Sequence, residues 1–268
     1  MNQHCFSVLK FRINPTFFFW IGLLLTSCAS LFPPPPGTAT PRPPTATPVL
    51  SPTPIWFPAT ETPIPRPLTL PTGTPDWRPG LGNEIRVDNF SDEESWDTFE
   101  SDDGVASFVD ESLVLSAAPE VYLFSLNHDL TLTDFYVEAT ARVNICRGAD
   151  EYGLLVRAIP RAYYRFAVAC NGEVRAERIA GNERLILHPP YHTGNARGAP
   201  SEIRMAVWVF KNEMRFFLND IYQFSVSDNN LPSGSIGFFV RSAGPTPVTV
   251  AFADLALQKL NYSPIATP

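Results

Sequence analysis

No stretch of ten or more residues in this sequence carries a clean helical period, so helix is expected to be minor. Long apolar runs are missing too: residues 17–25 form an apolar run too short to span a bilayer comfortably. Neither a phosphate-binding loop nor a Gly-x-Ser-x-Gly elbow occurs, which removes the usual marks of phosphoryl transfer and of serine hydrolases. Histidine is scarce, and His128, His188 and His192 are spread without metal-ligand spacing. Positive charge is absent between Arg86 and Arg142, and the whole chain carries a formal net charge of −7. That balance argues against nucleic acid or an anionic membrane surface as a main partner.

What is present is unevenly placed. Most of the 28 prolines precede Gly80. Globular sequence runs from there to about Leu260, roughly 180 residues, enough for one domain with a real core. Upstream, Lys10 and Arg12 precede the apolar run and small residues follow it, which is the order of a signal peptide. The run ends Leu25-Thr26-Ser27-Cys28, which resembles the lipobox of bacterial lipoproteins. The resemblance implies a signal peptide over 1–27, cleavage before Cys28 and lipidation of that cysteine. The protein would then be exported and held on the outer side of the bacterial membrane, with the lipid bilayer as partner through the Cys28 anchor. An ordinary cleavage site or an uncleaved anchor is the alternative, and either one exports the domain.

Residues 28–80 are rich in proline and threonine: PPPPGTATPRPPTATP, then SPTP, ETPIPRP and PTGTP. Proline fixes φ and removes donors, so a disordered, extended stalk is expected, reaching up to roughly 150 Å at ~3.1 Å per residue. Of the other three cysteines, Cys5 lies in the leader, and Cys146 and Cys170 bracket the strand-like residues 152–158. A disulfide between the last two would close a loop of about 25 residues, worth on the order of 3 kcal/mol outside the cytoplasm. Two buried free thiols are the other reading.

From residue 81 to 262 short β-rich runs alternate with turn residues. Strands are expected at 85–90, 105–109, 112–117, 122–126, 135–144, 152–158, 163–169, 173–179, 184–187, 203–210, 213–218, 221–226, 234–241 and 248–257. Turns fall at Asp102-Asp103-Gly104, Lys211-Asn212 and Asn219-Asp220, while His188-Pro189-Pro190 reads as a loop. The organising hairpin is AYYRFAVACNGEVRAERIA, residues 162–180. A two-residue turn at Asn171-Gly172 sets Val168 against Arg175. A three-residue loop, Cys170-Asn171-Gly172 with the glycine in a bulge, sets Val168 against Val174 and Phe166 against Ala176. The second register gathers Tyr164, Phe166, Val168, Val174 and Ala176 on one face and puts Arg165 opposite Glu177. A one-residue slip inverts every side chain, so this coherent register is expected. Residues 263–268 form a disordered tail.

The order of these segments resembles a known family. YGLLVRA, YYRFAVACNG, IRMAVWVFKNEMRFFLNDIYQFSV, PSGSIGFFV and VAFADLAL follow one another as in concanavalin A-like (laminin-G-like) jelly-roll domains. The likeness is strongest to those displayed on Thr/Pro stalks by bacterial lipoproteins. It implies an all-β, antiparallel two-sheet jelly-roll sandwich. Its functional content is weaker, because the superfamily includes lectins, glycan-binding modules, glycosidases and spacers. Glucanases of the superfamily carry their carboxylates as Glu-x-Asp-x-x-Glu on one strand, a spacing absent here. The acidic group Asp92-Glu93-Glu94 with Asp97 reads as a solvated loop. Jelly rolls can bind calcium where first and last strands meet, which makes Asp88 and Asp254 the metal candidates, but calcium wants six or more oxygens.

Glycan binding needs aromatic faces on an exposed sheet flanked by planar polar side chains. With Ile203, Met205, Val207 and Val209 facing the core, Trp208 points outward, as do Tyr163, Arg165, Arg175 and Glu177. If the strands share a sheet, these five make a sugar-binding surface. The sequence therefore predicts a non-catalytic, surface-anchored glycan-binding module. A display or protein-interaction domain without a small ligand is the alternative, and a hydrolase the third reading. An exposed Trp208 favours the first, a covered Trp208 the second, and two convergent carboxylates in a cleft the third.

Overall fold

A computed structural model describes residues 75–91 and 94–263 of the 268. The expected signal peptide, Cys28, the expected stalk up to residue 74, Asp92 and Glu93 of the acidic group, and the end of the tail lie outside the described residues. Among the described residues there is no helix.

Fifteen strands follow one another: β1 (Leu81–Asp88), β2 (Phe99–Ser101), β3 (Gly104–Val109), β4 (Ser112–Ala117), β5 (Tyr122–Leu126), β6 (Phe135–Ile145), β7 (Glu151–Ile159), β8 (Ala162–Ala169), β9 (Glu173–Ala180), β10 (Glu183–His192), β11 (Ser201–Phe210), β12 (Glu213–Leu218), β13 (Ile221–Ser227), β14 (Ser235–Arg241) and β15 (Val248–Leu260). They form two antiparallel sheets. The nine-stranded sheet runs β13-β12-β11-β6-β15-β4-β3-β2, with β1 also paired to β15, and the six-stranded sheet runs β10-β9-β8-β7-β14-β5. Every expected strand is present, and the short edge strand β2 is added. Pro189 and Pro190, expected in a loop, lie within β10. That is an edge strand whose register breaks on either side of His188, so two missing N–H donors cost the ladder little.

The hairpin β8–β9 takes the register that alternation demands, with Phe166 opposite Ala176, Val168 opposite Val174 and Arg165 opposite Glu177. Gly172, at φ +94°, supplies the positive dihedral of its loop. Asn219 and Asp220 both have positive φ, the condition for a type I′ turn between β12 and β13.

The inner faces of the two sheets meet in one apolar core. Tyr164, Phe166, Val168, Val174 and Ala176 lie in it with Ile203, Met205, Val207 and Val209 from the other sheet. Phe238 of β14 stacks on Phe252 of β15 with ring centroids 4.4 Å apart, so aromatic packing crosses the sandwich. Cys146, after β6, and Cys170, after β8, form a disulfide with Cα atoms 5.8 Å apart. The bond joins strands of opposite sheets.

Candidate functional site

Because the core takes one parity of each strand, the opposite parity of the six-stranded sheet turns outward. On β8 and β9 this brings up Tyr163, Arg165, Arg175 and Glu177. On β7 it brings up Glu151 and Leu155, and on β14 and β5 Phe239, Arg241, Tyr122 and Phe124. Direct cross-strand pairing of Arg241 with Glu151, and of Ile186 with Glu177, extends this face to β10.

A chain of guanidinium groups organises its centre. Arg165 Nε donates to Glu177 Oε2 at 2.9 Å, Arg175 Nε to Glu177 Oε1 at 2.7 Å, and Arg184 Nε to the same oxygen at 2.8 Å. Arg175 also donates from its terminal nitrogen to Glu151 Oε2 at 2.5 Å, so one guanidinium bridges two carboxylates. Arg241 lies 3.5 Å from Glu151 on the far side. Glu177 is completely buried. Burial pushes its carboxyl up, but Arg165, backed by Arg184 and Arg175, overrides that and holds it at about 2.

Beside this network lies an aromatic row. Phe239 and Tyr122 are 5.6 Å apart, Tyr122 and Phe124 5.9 Å, and Phe124 and Tyr163 6.2 Å between centroids. The Arg165 guanidinium sits 5.4 Å from the ring centres of both Tyr122 and Phe239, within cation–π range. Gly153 stands directly opposite Phe239, and a Cβ there would meet the Phe166 carbonyl oxygen of β8 at 2.0 Å before it met the Phe239 ring at 3.0 Å, so the close approach of the β8 backbone requires glycine. Burial first, and then neighbouring Tyr163, push the Tyr122 hydroxyl well above the usual phenol range. Phe124, 37% exposed, is the ring of this row that meets solvent most openly.

Four of the five residues expected in a glycan surface are thus together, and the fifth is not. Trp208 points away from the core as parity requires, but β11 belongs to the nine-stranded sheet, so its outer face looks away from Tyr163 and the arginines. Nor is Trp208 exposed: its accessibility is 0%. Residues 77–80, assigned by sequence to the stalk, run across that face as a strap. Trp208 Nε1 donates to the Pro79 carbonyl at 3.0 Å, and Arg215 lies 4.3 Å over the indole while donating to the Trp77 carbonyl at 3.0 Å. Trp77 stacks on Tyr222 at 4.3 Å, and Tyr262 packs against the indole from the other end.

The metal candidates also separate. Strands β1 and β15 do pair, with Asp88 opposite Leu255. Asp88 is buried and spent on the Phe90 N–H at 2.8 Å, the Trp96 indole at 3.1 Å and Arg86 at 3.1 Å. Asp254 faces solvent beside Arg142, 3.7 Å away. The two do not converge, and no group of three or more His, Cys, Asp or Glu among the described residues could hold a metal ion. Within the cation-free segment, Asp129 and Asp134 are reached from outside it by Arg86 and Arg157, both at 3.7 Å.

No family model and no curated protein sequence matches the chain. Solved structures do match. Carbohydrate-binding module CBM66 from Bacillus subtilis superposes with a TM-score of 0.52 at 15% identity, over 62% of this chain and 96% of that one. A Bacillus subtilis protein of unknown function with a galectin-like fold gives 0.51 at 15% identity, over 67% and 97%. The catalytic domain of an endo-1,3-beta-glucanase (laminarinase) from Thermotoga petrophila RKU-1 gives 0.51 at 9% identity, over 68% and 100%. The domain is a jelly-roll sandwich. At these identities the likeness establishes the fold and nothing further.

Within the jelly roll, sequence reading missed Tyr122, Phe124, Phe239, Glu151, Arg184 and Arg241. The signal for most of them was there. In YLFSL and SIGFFVR the residues between the core-facing Leu123, Ile236, Phe238 and Val240 include these aromatics and Arg241.

Proposed function

We propose that this protein is a non-catalytic glycan-binding module, exported, lipid-anchored through Cys28 and carried on the proline-rich segment that follows. The observation that carries the reading is the outer face of the six-stranded sheet. There the partly exposed rings of Phe124 and Tyr163 share a face with the solvent-reaching guanidinium groups of Arg184 and Arg241, which Glu177 and Glu151 hold from behind. Rings offer stacking surfaces to a sugar, and fixed donors bind hydroxyls without paying ordering entropy at that moment. Two of the similar structures are named for binding or cleaving carbohydrate, which supports the reading.

Glu151 and Glu177 are two carboxylates on one face, the feature that would favour a hydrolase. A glycosidase of that kind needs one carboxyl kept protonated by a raised pKa and a space between the pair for substrate. Here Arg175 occupies the space between them, and Glu177 is held ionised at about 2. We therefore assign these groups to positioning rather than to proton transfer. The second reading, a display domain without a small ligand, is favoured by the cover over Trp208.

A glycan array probed with the full chain tests the proposal. Binding should appear and should drop about tenfold or more in Phe124→Ala and Tyr163→Ala while the melting temperature holds, because each loses ring contact at a half-open face. An array without a hit, or hits indifferent to both substitutions, returns the protein to the display reading.

A further inference from the structure

Resting on that reading, the chemistry of the same face narrows the ligand further. Its carboxylates are consumed: Glu177 receives three arginines and Glu151 two, and both are buried. Glu173, at the far end of β9, lies 3.5 Å from His192. The donors, by contrast, are in surplus and reach water. Side chains of Arg184 and Arg241 are 51% and 43% exposed, on opposite sides of the buried network. Arg241 touches Glu151 only at 3.5 Å, which leaves most of its fork free. A solvent-borne ligand therefore meets guanidinium edges and aromatic rings on this face, in a chain whose net charge is −7.

We propose that the ligand is an acidic saccharide, whose sugar carboxylates are received by Arg184 and Arg241 while a ring lies against Phe124 or Tyr163. A guanidinium fork matches a planar carboxylate in a two-pronged, charge-assisted bond, and both arginines are pre-aimed by the glutamates behind them. Arg184 gives Nε and Nη2 to Glu177 and presents its remaining terminal edge, while Arg241 presents most of its fork; two outward cations on either side of the network suit a chain of repeating acidic units. The negative charge of the whole molecule repels polyanions in general, so affinity for one would be local to this face rather than diffuse.

The full chain is titrated with polygalacturonate, with the same polymer fully methyl-esterified, with dextran and with dextran sulfate. Binding is expected for polygalacturonate and should fall about tenfold or more on esterification, which keeps the rings and removes the charge. It should weaken comparably in about 0.5 M NaCl, where the Debye length is only a few ångströms. Arg184→Gln combined with Arg241→Gln should reproduce the loss in a binding assay run below the variant's own melting temperature, because Arg184 also partners the buried Glu177. Arg241→Gln alone, which gives up only a 3.5 Å contact to Glu151, should keep the wild-type melting temperature and lose part of the binding. Esterified polymer or dextran binding as well as polygalacturonate would overturn the acidic assignment while leaving glycan binding intact. Dextran sulfate binding as tightly would overturn the preference for carboxylate. A protein that binds none of the four and no array glycan loses both proposals.

Discussion

The indole Nε1 of Trp208 donates to the carbonyl of Pro79, 3.0 Å away and 129 positions earlier in the chain. This bond fastens the strap of residues 77–80 to the outer face of the nine-stranded sheet. It makes Trp208 a structural side chain under a polar clasp.

Trp208→Ala should therefore cost about 3–5 kcal/mol, the range for a buried aromatic truncated to alanine. Trp208→Phe keeps most of the packing and leaves the Pro79 carbonyl without its partner, for a loss of about 1–3 kcal/mol. Urea denaturation of the three proteins measures both. An alanine variant as stable as wild type would mean that the strap does not hold the indole.

Glu177→Gln removes the negative charge on which Arg165, Arg175 and Arg184 converge, and breaking a buried pair from one side costs about 3–5 kcal/mol. The pH dependence has a definite sign. The folded carboxyl sits at about 2 against an ordinary 4.5, so its contribution is fully present above 4.5 and is lost as pH falls toward 2. Denaturation curves between about pH 5 and 2 should show wild type losing stability more steeply than Glu177→Gln. Parallel profiles would mean that this carboxyl is not depressed in the fold.

Reduction of the Cys146–Cys170 bond should lower stability by on the order of 3 kcal/mol, since it frees a loop of 24 residues' separation that also ties the two sheets together. Thiol titration of the native protein made under oxidising conditions should detect neither sulfur. Two reactive thiols there would contradict the bond.

Cys28→Ala tests the proposed anchor. Wild type should partition into detergent and take up a palmitate analogue, whereas the variant should do neither. Equal labelling of the two removes the lipoprotein assignment.

Parity was the part of this fold most legible in the sequence. Alternation alone fixes that Val168 meets Val174, that Arg165 meets Glu177 and that Trp208 turns from the core, because the pleat has a period of two. Parity says which face a residue takes and is silent on which sheet its strand joins. Trp208 and Tyr163 carry the same outward sign and lie on opposite sides of the sandwich, since that choice depends on pairings such as β11 with β6, far apart in sequence. The strap was hidden for another reason: Trp77 and Pro79 close a proline-rich segment whose composition reads as solvated, and only the facing Tyr222, Arg215 and Trp208 make it dock. Asp88 and Asp254 show the same limit, because the meeting of first and last strands came only with the family resemblance, and the direction of each carboxylate did not come with it.

The strap ends where the last strand ends. The Gly80 carbonyl accepts from the Asn261 N–H at 2.8 Å, and Leu81 stands opposite Leu260 in the β1–β15 ladder. The sandwich thus begins and finishes at a single point on its rim, like a loop of cord closed by a knot. A domain with that geometry behaves as a cassette. It can be spliced into an exposed turn of an unrelated host through two short joints.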